Sequence, residues 1–179
     1  MEEIEVPLEK VTEDMHEHAH HASESWVMRV AICSAFLAAL AAVAAMLAGH
    51  HSNEAMIDQL RASDQWGYYQ AKGVKSAVLA SRLELLQALG KPVAEEQKQK
   101  LAEYKKEQEE ISERAKEKEA ESAKHLSTHQ ILARAVTFFQ VAIAIGAIAV
   151  LSRRRSFFHV SLLFGFCGLG FFIAAFVIP

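Results

Sequence analysis

Residues 27–49 read VMRVAICSAFLAALAAVAAMLAG, 23 residues in which Arg29 is the single charge. A bilayer hydrocarbon core takes roughly 20 helical residues to cross, so this run predicts a membrane-spanning helix. Two more runs match it: residues 131–151, and residues 157–178, which hold seven of the ten phenylalanines. The 179-residue chain is 51% hydrophobic and 23% Asp, Glu, Lys or Arg, with a net charge of −3. Charge is therefore segregated from the apolar runs, as in a multi-pass membrane protein. Residues 1–25 carry eight acids against Lys10 alone. No basic surface suggests nucleic acid. Cys33 and Cys167 both lie in apolar runs and offer neither a disulfide framework nor paired zinc-ligand spacing. An acidic stretch precedes the first run where a secretory signal would be basic, so the run reads as a permanent anchor.

The expected order is an acidic, His-rich, unstructured cytoplasmic tail (1–25), a first span (26–49), a helical hairpin (50–130), a second span (131–151), a basic loop (152–156) and a third span (157–179). Lys and Arg near span ends stay cytoplasmic, and Arg153, Arg154 and Arg155 sit together in the short loop. That loop is expected inside, with the hairpin and the C-terminus extracytoplasmic. Arg29 agrees.

Between the first two spans, residues 53–89 predict one helix and 93–129 another, with the turn at residues 90–92. Gly90 suits a left-handed helix cap, Pro92 suits a first helical position, and Glu95 and Glu96 favour the helix N-terminus. In the returning helix Leu101, Tyr104, Gln108, Ile111, Ala115, Lys118, Ser122, His125, His129 and Leu132 recur at spacings of three and four, a degraded heptad seam. The outgoing helix offers Met56, Leu60, Trp66, Tyr69, Val78, Leu79, Leu85, Leu86 and Leu89 to meet it. About 37 residues at 1.5 Å each reach roughly 55 Å. The fold class expected is all-α, three transmembrane helices with a long antiparallel, coiled-coil-like hairpin between the first and second. A two-helix hairpin is marginal alone, so homo-oligomerisation is expected.

Asp64, Gln65, Trp66, Gly67, Tyr68, Tyr69, Gln70, Ala71, Lys72 and Lys75 form the most distinctive stretch. Together with the Ala-rich first span it resembles an uncharacterised bacterial membrane family, domain of unknown function 4337, from about Trp26 onward. The resemblance implies a bacterial inner-membrane location and this layout, and it transfers no catalytic residue. Trp and Tyr dominate binding hot spots, which makes Asp64, Trp66, Tyr68, Tyr69, Gln70, Lys72 and Lys75 candidates for a subunit or partner contact. Packing within the hairpin is the rival reading, since aromatics at helical spacing are usually core. Gly67 and Gly73 weaken a helix by roughly 1 kcal/mol each unless close packing requires them.

Eight of the nine histidines form two sets of interest. His16, His18, His20 and His21 make a tract of a kind that binds metal loosely, or nothing at all. His50 and His51 leave the first span where His125 and His129 approach the second, and could converge on a metal or form a pH-sensitive contact. Solvated interfacial side chains are the alternative.

Within the spans, Ser34, Ala38 and Ala42 form a small face, and Ala142 and Gly146 of the second span are expected to meet the first. Gln140 is the polar side chain deepest in a span and should seek an interhelical hydrogen bond. The Phe-rich third span suits lipid contact, with Gly165, Gly168 and Gly170 as a candidate packed stripe. No Asp, Glu or Lys lies within a span, which removes the usual ion-coupling site.

No nucleophile–base set, phosphate loop or HExxH pair is present, so the expectation is a non-enzymatic oligomeric scaffold or accessory protein without a cofactor. Its partners would be the lipid bilayer, further copies and a larger membrane complex. Two alternatives stand beside it. One is an oligomeric pore, though no charged ring lines a span. The other is a metal-binding or metal-sensing protein that uses the histidines.

Overall fold

The computed structural model describes residues 25–177 in full, and for residues 7–24 the backbone alone. The side chains of the tail histidines His16, His18, His20 and His21 lie outside the described residues, while the backbone of the tail expected to be unstructured is helical from Pro7 onward. The elements are α1 (Pro7–Ala88), α2 (Glu95–Ser152) and α3 (Arg155–Val177), with no strand among the described residues. Each contains a stretch long and apolar enough to cross a membrane. The chain divides into two compact units: one of Met1–Leu47 with Gln130–Pro179, the other of Ala48–His129.

α1 ends as the sequence predicts. Gly90 takes φ 65°, Lys91 N–H donates to the Leu86 carbonyl at 2.9 Å, and Gly90 N–H donates to that of Gln87 at 3.0 Å. This pair of bonds satisfies carbonyls that the helix end would otherwise orphan. α2 starts later than expected, at Glu95, with Glu95 and Glu96 in its first turn. Pro92 therefore precedes the helix and does not occupy its first position. The same bond pattern closes α2, where Arg153 N–H donates to the Val150 carbonyl and Arg154 N–H to that of Ala149, both at 3.2 Å. Here the left-handed residue is Arg153, φ 52°.

In the apolar unit, Leu37, Ala41 and Ala44 of α1 pack with Ala135, Phe139 and Ala142 of α2, and Phe164, Leu169, Phe171 and Phe172 of α3 close over them. A second cluster joins Trp26 and Val30 to Ala149. Small residues allow these contacts: a Cβ on Gly146 would lie 3.2 Å from Ser34 Oγ, and one on Gly168 would lie 2.8 Å from the Phe139 ring. Ser161 Oγ, buried, donates to the Ala142 carbonyl at 2.7 Å. Gly165 and Gly168 are buried, while a side chain at Gly170 would meet open space.

In the Ala48–His129 unit, every residue of the expected α2 seam from Leu101 to His129 is buried or half-buried. The α1 side differs from expectation. Trp66, Tyr69, Leu79 and Leu86 face inward, yet Met56, Leu60, Val78, Leu85 and Leu89 are each exposed by 61–65%. Ala55, Asp58, Ala62, Ser76 and Leu83 are the buried residues instead. They hold a strict heptad spacing that keeps one stripe toward a partner helix, and small side chains on that stripe let the two segments approach closely.

Candidate functional site

The contacts of the Ala48–His129 unit fall into two polar clusters. The first is the aromatic stretch. Trp66 Nε1 donates to Glu119 Oε1 at 2.8 Å, and its ring meets that of Tyr69 edge-on at 5.5 Å. Gln108 Nε2 donates to the Tyr69 carbonyl at 3.3 Å. Gly73 makes room for this amide, since a Cβ there would lie 2.7 Å from Gln108 Nε2. Gly67 has no such reason, because a side chain there would meet open space.

Lys72 pairs with Glu107 and lies 5.6 Å from the Tyr68 ring centre and 5.1 Å from that of Tyr104. The bond to Glu107 holds its ammonium above the ordinary lysine pKa, against a smaller opposing effect of desolvation. Lys72 is thus a fixed cation. Tyr68, Glu107, Glu110, Ile111 and Arg114 line a small cavity of about 160 Å³ beside it. Of the seven residues singled out in this stretch, Trp66, Tyr68, Tyr69 and Lys72 make contacts within the unit. Asp64, Tyr68, Gln70 and Lys75 are exposed.

The second cluster brings two of four histidines together. His51 Nδ1 and His125 Nδ1 lie 3.0 Å apart, with ring centres at 5.3 Å. His129 Nδ1 lies 2.8 Å from the Ala48 carbonyl; a carbonyl only accepts, so that nitrogen carries the proton. His50 is exposed, its ring centre 5.6 Å from that of His51.

Asp58, which sequence reasoning missed, organises this end. It is 4% exposed and lies 3.2 Å from Arg61 Nη1, 3.8 Å from Lys118 Nζ and 4.0 Å from His125 Nε2. One of the two facing Nδ1 atoms carries the proton that bridges them, and the other accepts it. Burial, followed by the nearby His125 and His50, lowers the His51 pKa below 6.5. Ser122 Oγ completes the cluster by donating to the Ala55 carbonyl at 2.8 Å. Among the described residues no three His, Cys, Asp or Glu side chains converge as a metal ligand set.

In the apolar unit, Ala142 is buried and Gly146 faces Ser34, whereas Ala38 and Ala42 are exposed. The buried stripe of this apolar stretch of α1 is Trp26, Val30, Leu37, Ala41 and Ala44. Gln140 is exposed as well.

No curated protein and no solved structure is detectably similar to this chain. A family match does cover residues 26–178. It includes every contact described above, and on its strength the chain belongs to the family described as domain of unknown function 4337.

Proposed function

We propose that this protein is a non-enzymatic scaffold of the bacterial inner membrane, self-associating or docking a larger complex through its Ala48–His129 unit. Three apolar stretches support membrane insertion. The Arg153, Arg154, Arg155 turn supports a cytoplasmic α2–α3 connection, and hence an extracytoplasmic unit between the first two spans. Contact partners fall in number along α2 as they rise along α1, from His51 with His125 to Tyr69 with Gln108, which supports an antiparallel hairpin.

The observation that carries the reading is the bare face of α1. Ile57, Leu60, Gly67, Ala71, Val74, Val78 and Leu85 follow one another at helical spacings of three, four and seven, all exposed, with Leu60, Val74 and Val78 at 64–65%. Asp64 is the one charge on this stripe. The outer face of α2 is instead Glu103, Lys106, Glu110, Glu113 and Glu117. One outer face suits water and the other suits a protein partner. Copies inserted in the same direction would present this stripe in parallel and in register.

Native mass spectrometry of the full chain in nanodiscs tests the reading. The expected result is several copies per particle, or one copy with a foreign complex, and dissociation on replacing Val78 and Leu85 together by Glu. A lone copy without a companion overturns it.

The 3.0 Å approach of His51 to His125 favours a second reading, metal handling or sensing. Metal retained by chelator-free purified protein is its expected signature; clean metal analysis removes it.

A further inference from the structure

The span segment of α2 has two unlike faces. One packs inside the apolar unit through Leu132, Ala135, Phe139, Ala142 and Ala149. The other, Arg134, Thr137, Gln140, Ala144 and Ala147, is exposed. Thr137 is satisfied, because its hydroxyl donates to the Ala133 carbonyl at 3.0 Å. The Gln140 amide makes no hydrogen bond to any described residue.

Its depth makes this costly. Gln140 is nine residues beyond the start of the apolar run, about 14 Å along the helix, too far for a glutamine side chain to reach headgroups or water. An acyl chain offers the amide neither donor nor acceptor. A second copy of the chain offers both. Embedded in the same direction, it carries an identical amide at the same depth, and a primary amide is self-complementary, with Nε2–H of each donating to Oε1 of the other across a two-fold axis. Ala144 and Ala147, one and two turns further along the same face, are small enough for two helices to approach.

We infer that the Gln140 face of α2 is a contact between two copies within the bilayer, held by a reciprocal Gln140 amide pair. This rests on the reading of the chain as a self-associating membrane protein, and it adds an interface separate from the bare face of α1.

The test uses the full chain in lipid bilayers with Cys33→Ala and Cys167→Ala, carrying one new cysteine at a time. Ala144→Cys should form a disulfide-linked dimer on mild oxidation. Phe166→Cys, exposed on α3, should not. Adding Gln140→Leu should lower the cross-linked fraction several-fold, and Gln140→Asn should lower it less. Leu suits a lipid-facing helix, so folding survives that change. Cross-linking indifferent to Gln140→Leu, or absent at Ala144 in particles that are oligomeric by mass, overturns this interface and leaves the scaffold reading standing. A monomeric mass overturns both.

Discussion

Two facing imidazole nitrogens need one proton between them, and this sets how the His51–His125 contact responds to acid. The groups around it are His50, Glu54 and Asp58 on α1, and Lys118 and His129 on α2. Folding lowers the His51 pKa from 6.5, so the folded chain prefers the neutral ring. That preference contributes stability in full above about pH 6.5. It is lost as pH falls from there through the lowered folded value, because the unfolded chain binds the proton first. The thermal midpoint of the solubilised protein should therefore drop as pH falls below about 6.5, and His51→Gln should flatten the drop. That these histidines lie near one another was legible from their places at the ends of two apolar runs. The role of Asp58 was legible in principle, since it stands seven residues after His51 on one helical stripe, but its charge disguised it as surface.

At the scale of the element, the two arms of the Ala48–His129 unit were not equally readable. α2 has a single stripe of less polar residues in a highly charged sequence, and that stripe is the one that packs. α1 has two opposite stripes with the same spacing. Trp66, Tyr69, Leu79 and Leu86 face inward, but Met56, Leu60, Val78, Leu85 and Leu89 lie outward while Ala55, Ala62 and Ser76 face inward, so choosing by size mixed the two faces. Gly90 was equally plain, because glycine is the usual left-handed cap. Arg153 was not, because an L side chain in that conformation costs roughly 1–2 kcal/mol. Arg153→Gly should relieve most of that cost, offset in part by the greater freedom of glycine in the unfolded chain. A rise of up to about 1 kcal/mol is expected, seen as a higher thermal midpoint in detergent, while Arg153→Val should lower it.

For the whole molecule, length and hydropathy were enough to find three apolar stretches, since a continuous apolar run of roughly 20 residues matches the thickness of a bilayer and exceeds what a water-soluble core helix needs. Which sides of those stretches pack inward was not readable. Ala38 and Ala42 are as small as Ala41 and Ala44, yet only the latter two are buried. Orientation depends on a few charges. Replacing Arg153, Arg154 and Arg155 together by Ser should produce a mixed or inverted population. Labelling of Lys91→Cys by a membrane-impermeant maleimide in intact spheroplasts, with the native cysteines removed, reads this out. Near-complete labelling is expected in the parent chain and a reduced fraction in the triple variant.

The contacts of the Ala48–His129 unit also imply an order of events. Sequence separation grows from 39 residues between Tyr69 and Gln108 to 53 between Trp66 and Glu119, then 67 between Ala55 and Ser122, 74 between His51 and His125, and finally 81 between Ala48 and His129. Short loops close most readily, and each contact made shortens the loop left for the next. The unit should zip from Gly90 outward, with the histidine end, His51 with His125 and then Ala48 with His129, formed last and opened first. Gly90→Ala would then slow folding, whereas His125→Ala would chiefly speed unfolding. Acid, acting at the end that opens first, would work as a latch release, loosening the histidine end while the segments nearest Gly90 stay closed.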